Sequence, residues 1–139
     1  MTVQTIKGYL EAEMRRHAFP YTSENGYITL TAGFGGKRWK MAFSCGENRI
    51  ECYAAYPWPV PRELRESLLE RLNSLNAAAG FGSYFLLDTE RNHLIVLRCD
   101  ILIADEYSIA ECIEEGLKRM SAAFCARWET LMSASRPGI

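Results

Sequence analysis

The stretch Pro59–Met120, PVPRELRESLLERLNSLNAAAGFGSYFLLDTERNHLIVLRCDILIADEYSIAECIEEGLKRM, decides the fold. Leu64, Leu68, Leu72, Leu75 and Ala79 recur at steps of three and four, the spacing of one helix face. They predict a helix from Arg62 to Ala79, entered through Pro61 and stopped at Gly80. Leu69 falls off that stripe. Ser83 to Asp88 and His93 to about Ile103 read as two strands joined by the turn Thr89-Glu90-Arg91-Asn92. A second amphipathic helix follows. Ser108 and Glu111 have capping-box spacing, with Tyr107 and Cys112 placed as a hydrophobic staple. Ile109, Ile113, Gly116, Leu117, Met120, Phe124, Trp128 and Leu131 then fall on one continuous face.

The N-terminal side completes the pattern. Val3, Ile6, Leu10, Met14 and His17 line one face of a first helix, capped by Thr2 and stopped at Phe19-Pro20. Tyr27 to Ala32, Lys37 to Ser44 and Arg49 to Tyr56 alternate in polarity and are joined by short turns. Short loops permit only antiparallel neighbours. The expected fold class is therefore α+β, in the order α-β-β-β-α-β-β-α, an antiparallel five-stranded sheet packed against helices. Residues 1–132 form a single domain, and residues 133–139, ending in Pro-Gly-Ile, are expected to be a disordered tail.

Composition narrows the function. Apolar residues make up 48% and charged residues 24% of the 139, with a net charge of −1. Neither half carries the excess of one sign that nucleic-acid or acidic-membrane binding usually shows. No apolar run is long enough to span a membrane, and the N-terminus lacks the form of a secretory leader. Five cysteines, an odd number without metal-ligand spacing, read as small apolar packing groups in a reducing compartment, so a cytoplasmic location is expected.

No catalytic constellation is legible. His17 closes a helix stripe and His93 begins a strand, so neither has a nucleophile or carboxylate partner in view. Gly33-Phe34-Gly35-Gly36-Lys37 lies between strands, whereas a phosphate-binding loop opens a helix. Trp39 points away from Arg38 and Lys40 on its strand, which disfavours a nucleic-acid stacking platform. The reading is a non-enzyme with no cofactor and no metal. Asn73 and Asn76, near the end of the Arg62–Ala79 helix, are candidates for packing or recognition at the helix–hairpin junction.

The proline-led helix Pro61-Arg62-Glu63-Leu64 and the segment Leu72-Asn73-Ser74-Leu75-Asn76 resemble the YbjN-type family of bacterial proteins, proposed sensory-transduction regulators. The hairpin Phe85-Leu86-Leu87-Asp88 to Leu94-Ile95-Val96-Leu97-Arg98 and the Ser108-led final helix share that resemblance. Arg91-Asn92 departs from it where the family often has a turn glycine. The family has the element order of type III secretion chaperones, which are more acidic than this chain. The resemblance implies a homodimer, no cofactor and no catalytic residues. The expected function is a chaperone-like or regulatory adaptor whose partner is another protein or itself, with no nucleic acid and no membrane. Tyr56, Trp58, Leu69, Asn73 and Asn76 are its candidate interaction residues, because aromatic and off-stripe apolar groups anchor interfaces. The alternative is a sensory regulator binding a small molecule between the sheet and the first or last helix, lined by Met14, Trp39, Met41 and Met120.

Overall fold

The computed structural model describes residues 2–78 and 80–136. Helix α1 spans Val3–Arg16, and the Thr2 hydroxyl accepts the Thr5 N–H at 3.2 Å, the expected cap. Strands β1 (Tyr21–Glu24), β2 (Tyr27–Phe34), β3 (Lys37–Gly46) and β4 (Arg49–Ala55) follow. A 3-10 turn at Arg62–Leu64 leads into α2 (Arg65–Ala78). Then come β5 (Ser83–Asp88), β6 (His93–Leu102), a 3-10 turn at Glu106–Ser108, α3 (Ile109–Ala126) and α4 (Trp128–Ala134). Ala79, expected to close the α2 stripe, lies outside the described residues.

The sheet is antiparallel and has six strands, in the order β1-β2-β3-β4-β6-β5, rather than five. The additional strand is β1. Asn25 and Gly26 both have positive φ (52° and 81°), the conformation of a two-residue hairpin turn. That turn folds polar Tyr21–Glu24 back onto β2.

Register sorts the side chains into rows. Ile28, Phe43, Cys52 and Cys99 stand side by side across β2, β3, β4 and β6. Leu30, Met41, Ala54, Leu97 and Tyr84 make the next row, and all nine of these residues belong to one core. Helices α1 and α3 pack together over this side of the sheet, and Ile6, Leu10, Met14, Ile109, Ile113, Met120 and Phe124 fill the interface. Helix α2 packs beside β5 at the sheet's edge. All five thiols are free, and directly opposed Cys52 and Cys99 are buried as small apolar groups.

Three local expectations are corrected. The last helix breaks at Arg127 instead of running unbroken to Leu131. The Tyr56 hydroxyl donates to the Phe124 carbonyl at 2.9 Å just before the break, and Trp128 then turns edge-on to Trp58, 5.0 Å between ring centres. The Ser108 capping box does not form. Asp105 accepts the Ser108 N–H at 3.0 Å because a 3-10 turn precedes the helix, and Tyr107, 99% exposed, makes no staple. The segment from Ser133 to Ser135 is not a disordered tail, since Ser133 and Ala134 are helical and Ser135 is buried; residues 137–139 lie outside the described set.

Candidate functional site

Two concave regions follow from this architecture. The first is the sheet face opposite the helices. Strand alternation turns Thr29, Ala42, Tyr53 and Arg98 to that side in one row, and Thr31, Lys40, Ala55, Val96 and Phe85 in the next. Together with Pro20, Tyr27 and Leu87 most of these residues line a hollow of about 710 Å3, and among the described residues none from a helix contributes to it. Tyr27 and Leu87 are nearly half exposed. Next to this apolar band runs an ionic strip. Glu51 meets Arg49 at 2.9 Å and Arg98 at 3.5 Å, and Arg98 also meets Asp100 at 3.6 Å. Tyr53 donates to Glu51 at 3.1 Å with the Arg98 guanidinium over its ring. Burial, then the bond and charge of Glu51, raise the Tyr53 ionisation above the ordinary tyrosine value.

The second region is a cleft of about 480 Å3 between α1, α3 and the β2–β3 hairpin. Met14, Leu30, Trp39, Met41, Phe43 and Leu117 line it, as do Phe19 and Phe34, 43% and 72% exposed. The expected lining residues Met14, Trp39 and Met41 are in place, whereas Met120 is fully buried and does not line it. Charges near the mouth are mutually paired. Arg16 reaches both Glu13 oxygens at 2.7 Å and Glu114 at 3.3 Å, and Lys118 meets Glu114 at 3.4 Å. His17 lies 3.3 Å from Glu13. The bonds and charge of Lys118, then of Arg16, hold the Glu114 carboxyl below the usual range.

The five candidate interaction residues do not converge. Tyr56 is fully buried, its ring stacked on Phe124 at 3.9 Å, so it cannot anchor a partner; the correction follows from its bond to the Phe124 carbonyl. Trp58 is half-buried against Tyr56 and Trp128 and donates to the Ser135 hydroxyl at 3.0 Å. Leu69 is half-buried on α2 outside the core cluster, and Asn73 is exposed. Asn76 is structural: its amide bonds both backbone groups of Tyr84.

The residues of the sheet face opposite the helices, half-buried Tyr53, Ala55 and Phe85 and buried Val96, were not among the candidates. Their signal was weak, because each alternates with a core residue and only register gathers them into one patch. Among the described residues no three His, Cys, Asp or Glu side chains lie close enough to hold a metal, and no helix is long and apolar enough to cross a membrane. His93 pairs with Asp88 at 2.7 Å beside the β5–β6 turn.

No protein-family model matches the chain, and no curated protein matches it either. Among solved structures it is similar to YbjN from E. coli, described as "a putative transcription regulator", at 14% identity and a TM-score of 0.62, over 86% of this chain and 89% of that one. The α+β fold is the one found in YbjN.

Proposed function

From the fold it shares with YbjN, we propose that this chain is a non-enzymatic regulatory adaptor, and that it pairs with a second copy of itself through the uncovered sheet face. The observation that carries this reading is the hollow of about 710 Å3 on a six-stranded sheet, lined by no helical residue among those described. Five strand spacings of ~4.8 Å, and strands of 4, 8, 10, 7, 6 and 10 residues rising ~3.3 Å per residue, give that face roughly 600 Å2, against the ~800 Å2 each partner contributes to a standard interface. The ionic strip carries both signs, as a self-complementary two-fold contact requires. The β5 edge is less suited to recruiting a strand, because Asn76 already occupies the backbone groups of Tyr84.

Regulation would then act through protein contacts in the cytoplasm rather than on nucleic acid, in keeping with a net charge of −1. Light scattering on the purified chain tests this. The wild type should be a dimer whose melting temperature rises with protein concentration, Ala55→Arg should give a folded monomer that lacks this concentration dependence, and Leu69→Asp, on a different surface, should stay dimeric. A monomeric wild type would overturn the proposal.

A second reading is a sensory regulator that binds a small molecule. The cleft between α1, α3 and β2–β3 favours it, lying where sheet and helices part.

A further inference from the structure

The cleft holds one group that stands apart from its surroundings. Trp39 is 3% exposed, and its indole N–H is buried without an acceptor among the described residues. Trp58, by contrast, donates to Ser135. Native proteins pair nearly all buried donors, so such a group calls for a partner. Trp39 is held in place by its strand and by Phe124, 4.9 Å between ring centres, and cannot turn outward without breaking up the aromatic cluster.

We infer that the cleft takes an uncharged, mainly aromatic small molecule whose carbonyl oxygen accepts the Trp39 N–H. The inference rests on the second reading above and names its ligand class. A volume of about 480 Å3 falls within the ~300–1,000 Å3 of small-molecule sites. Thioethers at Met14 and Met41 and the exposed rings of Phe19 and Phe34 favour a planar ring system. A charged ligand is disfavoured because Arg16 and Lys118 are already committed to Glu13 and Glu114, and the apolar lining offers nothing to balance a buried charge. The indole nitrogen has almost no accessible surface. Seating the carbonyl therefore requires the cleft lining to shift, and Met14 and Met41, unbranched, are flexible members of that lining.

The test uses the full-length chain labelled with 15N. Its three tryptophans provide indole N–H signals, and Trp39→Phe identifies the one from Trp39. The probes are 1-indanone and coumarin, with indane and indene as analogues lacking the carbonyl. Both carbonyl compounds should shift the Trp39 signal saturably and bind about tenfold more tightly than the hydrocarbons, the value of one hydrogen bond. Ala122→Phe, at an exposed position on the cleft wall, should weaken binding by a similar factor. Trp39→Phe should abolish the preference for indanone over indane. Equal affinity for indanone and indane overturns the ligand class and leaves the site standing. No saturable shift with any of the four compounds overturns the class and the small-molecule reading together.

Discussion

Asn76 completes the edge of the sheet: its Nδ2 donates to the Tyr84 carbonyl at 2.9 Å, and its Oδ1 accepts the Tyr84 N–H at 2.7 Å. One side chain thus stands in for a neighbouring strand, and it ties α2 to β5. A sheet edge left open is a template for pairing with other chains. Asn76→Ala should cost about 1–2 kcal/mol, since two bonds are lost and the backbone groups are half-buried. Asn76→Asp should cost at least as much at neutral pH, because a carboxylate would face the Tyr84 carbonyl. Asn73→Ala, three residues earlier and exposed, should stay within ~0.5 kcal/mol of wild type. Urea denaturation of the three variants checks the ranking.

Tyr56 plays the corresponding part at the centre of the molecule. It is fully buried, and its hydroxyl donates to the Phe124 carbonyl at 2.9 Å. Tyr56→Phe removes the donor and leaves that carbonyl without this partner, at a cost of about 1–2 kcal/mol. For a chain of this size the melting temperature should fall by roughly 3–8 °C. Burial raises the Tyr56 ionisation above its ordinary value of 10.0. The folded state therefore holds the proton after the unfolded chain has lost it. Stability from this group is complete below the ordinary value and declines as pH rises above it. Part of the alkaline loss should vanish in Tyr56→Phe, which a melting series from pH 8 to 11 would read.

How much of this was legible depends on how local the cause is. Trp39, Met41 and Phe43 alternate strictly, so their shared core face could be read from spacing alone. The final helix announced its buried side through Ile109, Ile113, Met120 and Phe124 in the same way. Strand β1 escaped because Tyr21–Glu24 is short and polar, although Asn25-Gly26 was a usable hairpin signal. The break at Arg127 had no such signal: it accompanies a bond between residues 68 positions apart. Tyr56 looked like an exposed anchor for the same reason. The bare face was hidden in another way, since Ala42, Tyr53, Ala55 and Val96 are scattered over three strands and become neighbours only in register.

Glu114 joins α3 to α1 through Arg16 at 3.3 Å, and it also meets Lys118 at 3.4 Å on its own helix. Lys118 first and Arg16 second lower its ionisation below the ordinary 4.5. A carboxyl lowered in the folded state contributes stability that is complete above the ordinary value and is lost as pH falls through the lowered one. Glu114→Gln should therefore flatten the acid side of the stability curve below about pH 4.5. Both partners reach solvent, so the difference from wild type should shrink as salt rises. Thermal melts from pH 3 to 7 at low and high salt make the comparison. An acid limb identical to wild type would assign the contact no energetic role.

Gly116 sets how closely α3 approaches the sheet. A β-carbon built there would lie 2.5 Å from Ile101 Cγ1 and 2.6 Å from its Cδ1, well inside contact distance. Alanine is intrinsically the better helix residue by about 1 kcal/mol, which alone would make Gly116→Ala stabilising. Overpacking a dense core costs about 1–3 kcal/mol, and Ile101 is 5% exposed on β6 and branched at Cβ, with little room to yield. The clash should win, leaving Gly116→Ala destabilised by about 1–2 kcal/mol. The two effects separate in a double-mutant cycle. Ile101→Ala alone should cost about 2–5 kcal/mol by opening a cavity. In that background the atoms that clash are gone, so adding Gly116→Ala should be neutral or stabilising, and the sign of its effect should reverse. Denaturation midpoints of the four proteins measure this. If Gly116→Ala destabilises equally with and without Ile101, contact with that side chain is not what requires glycine there.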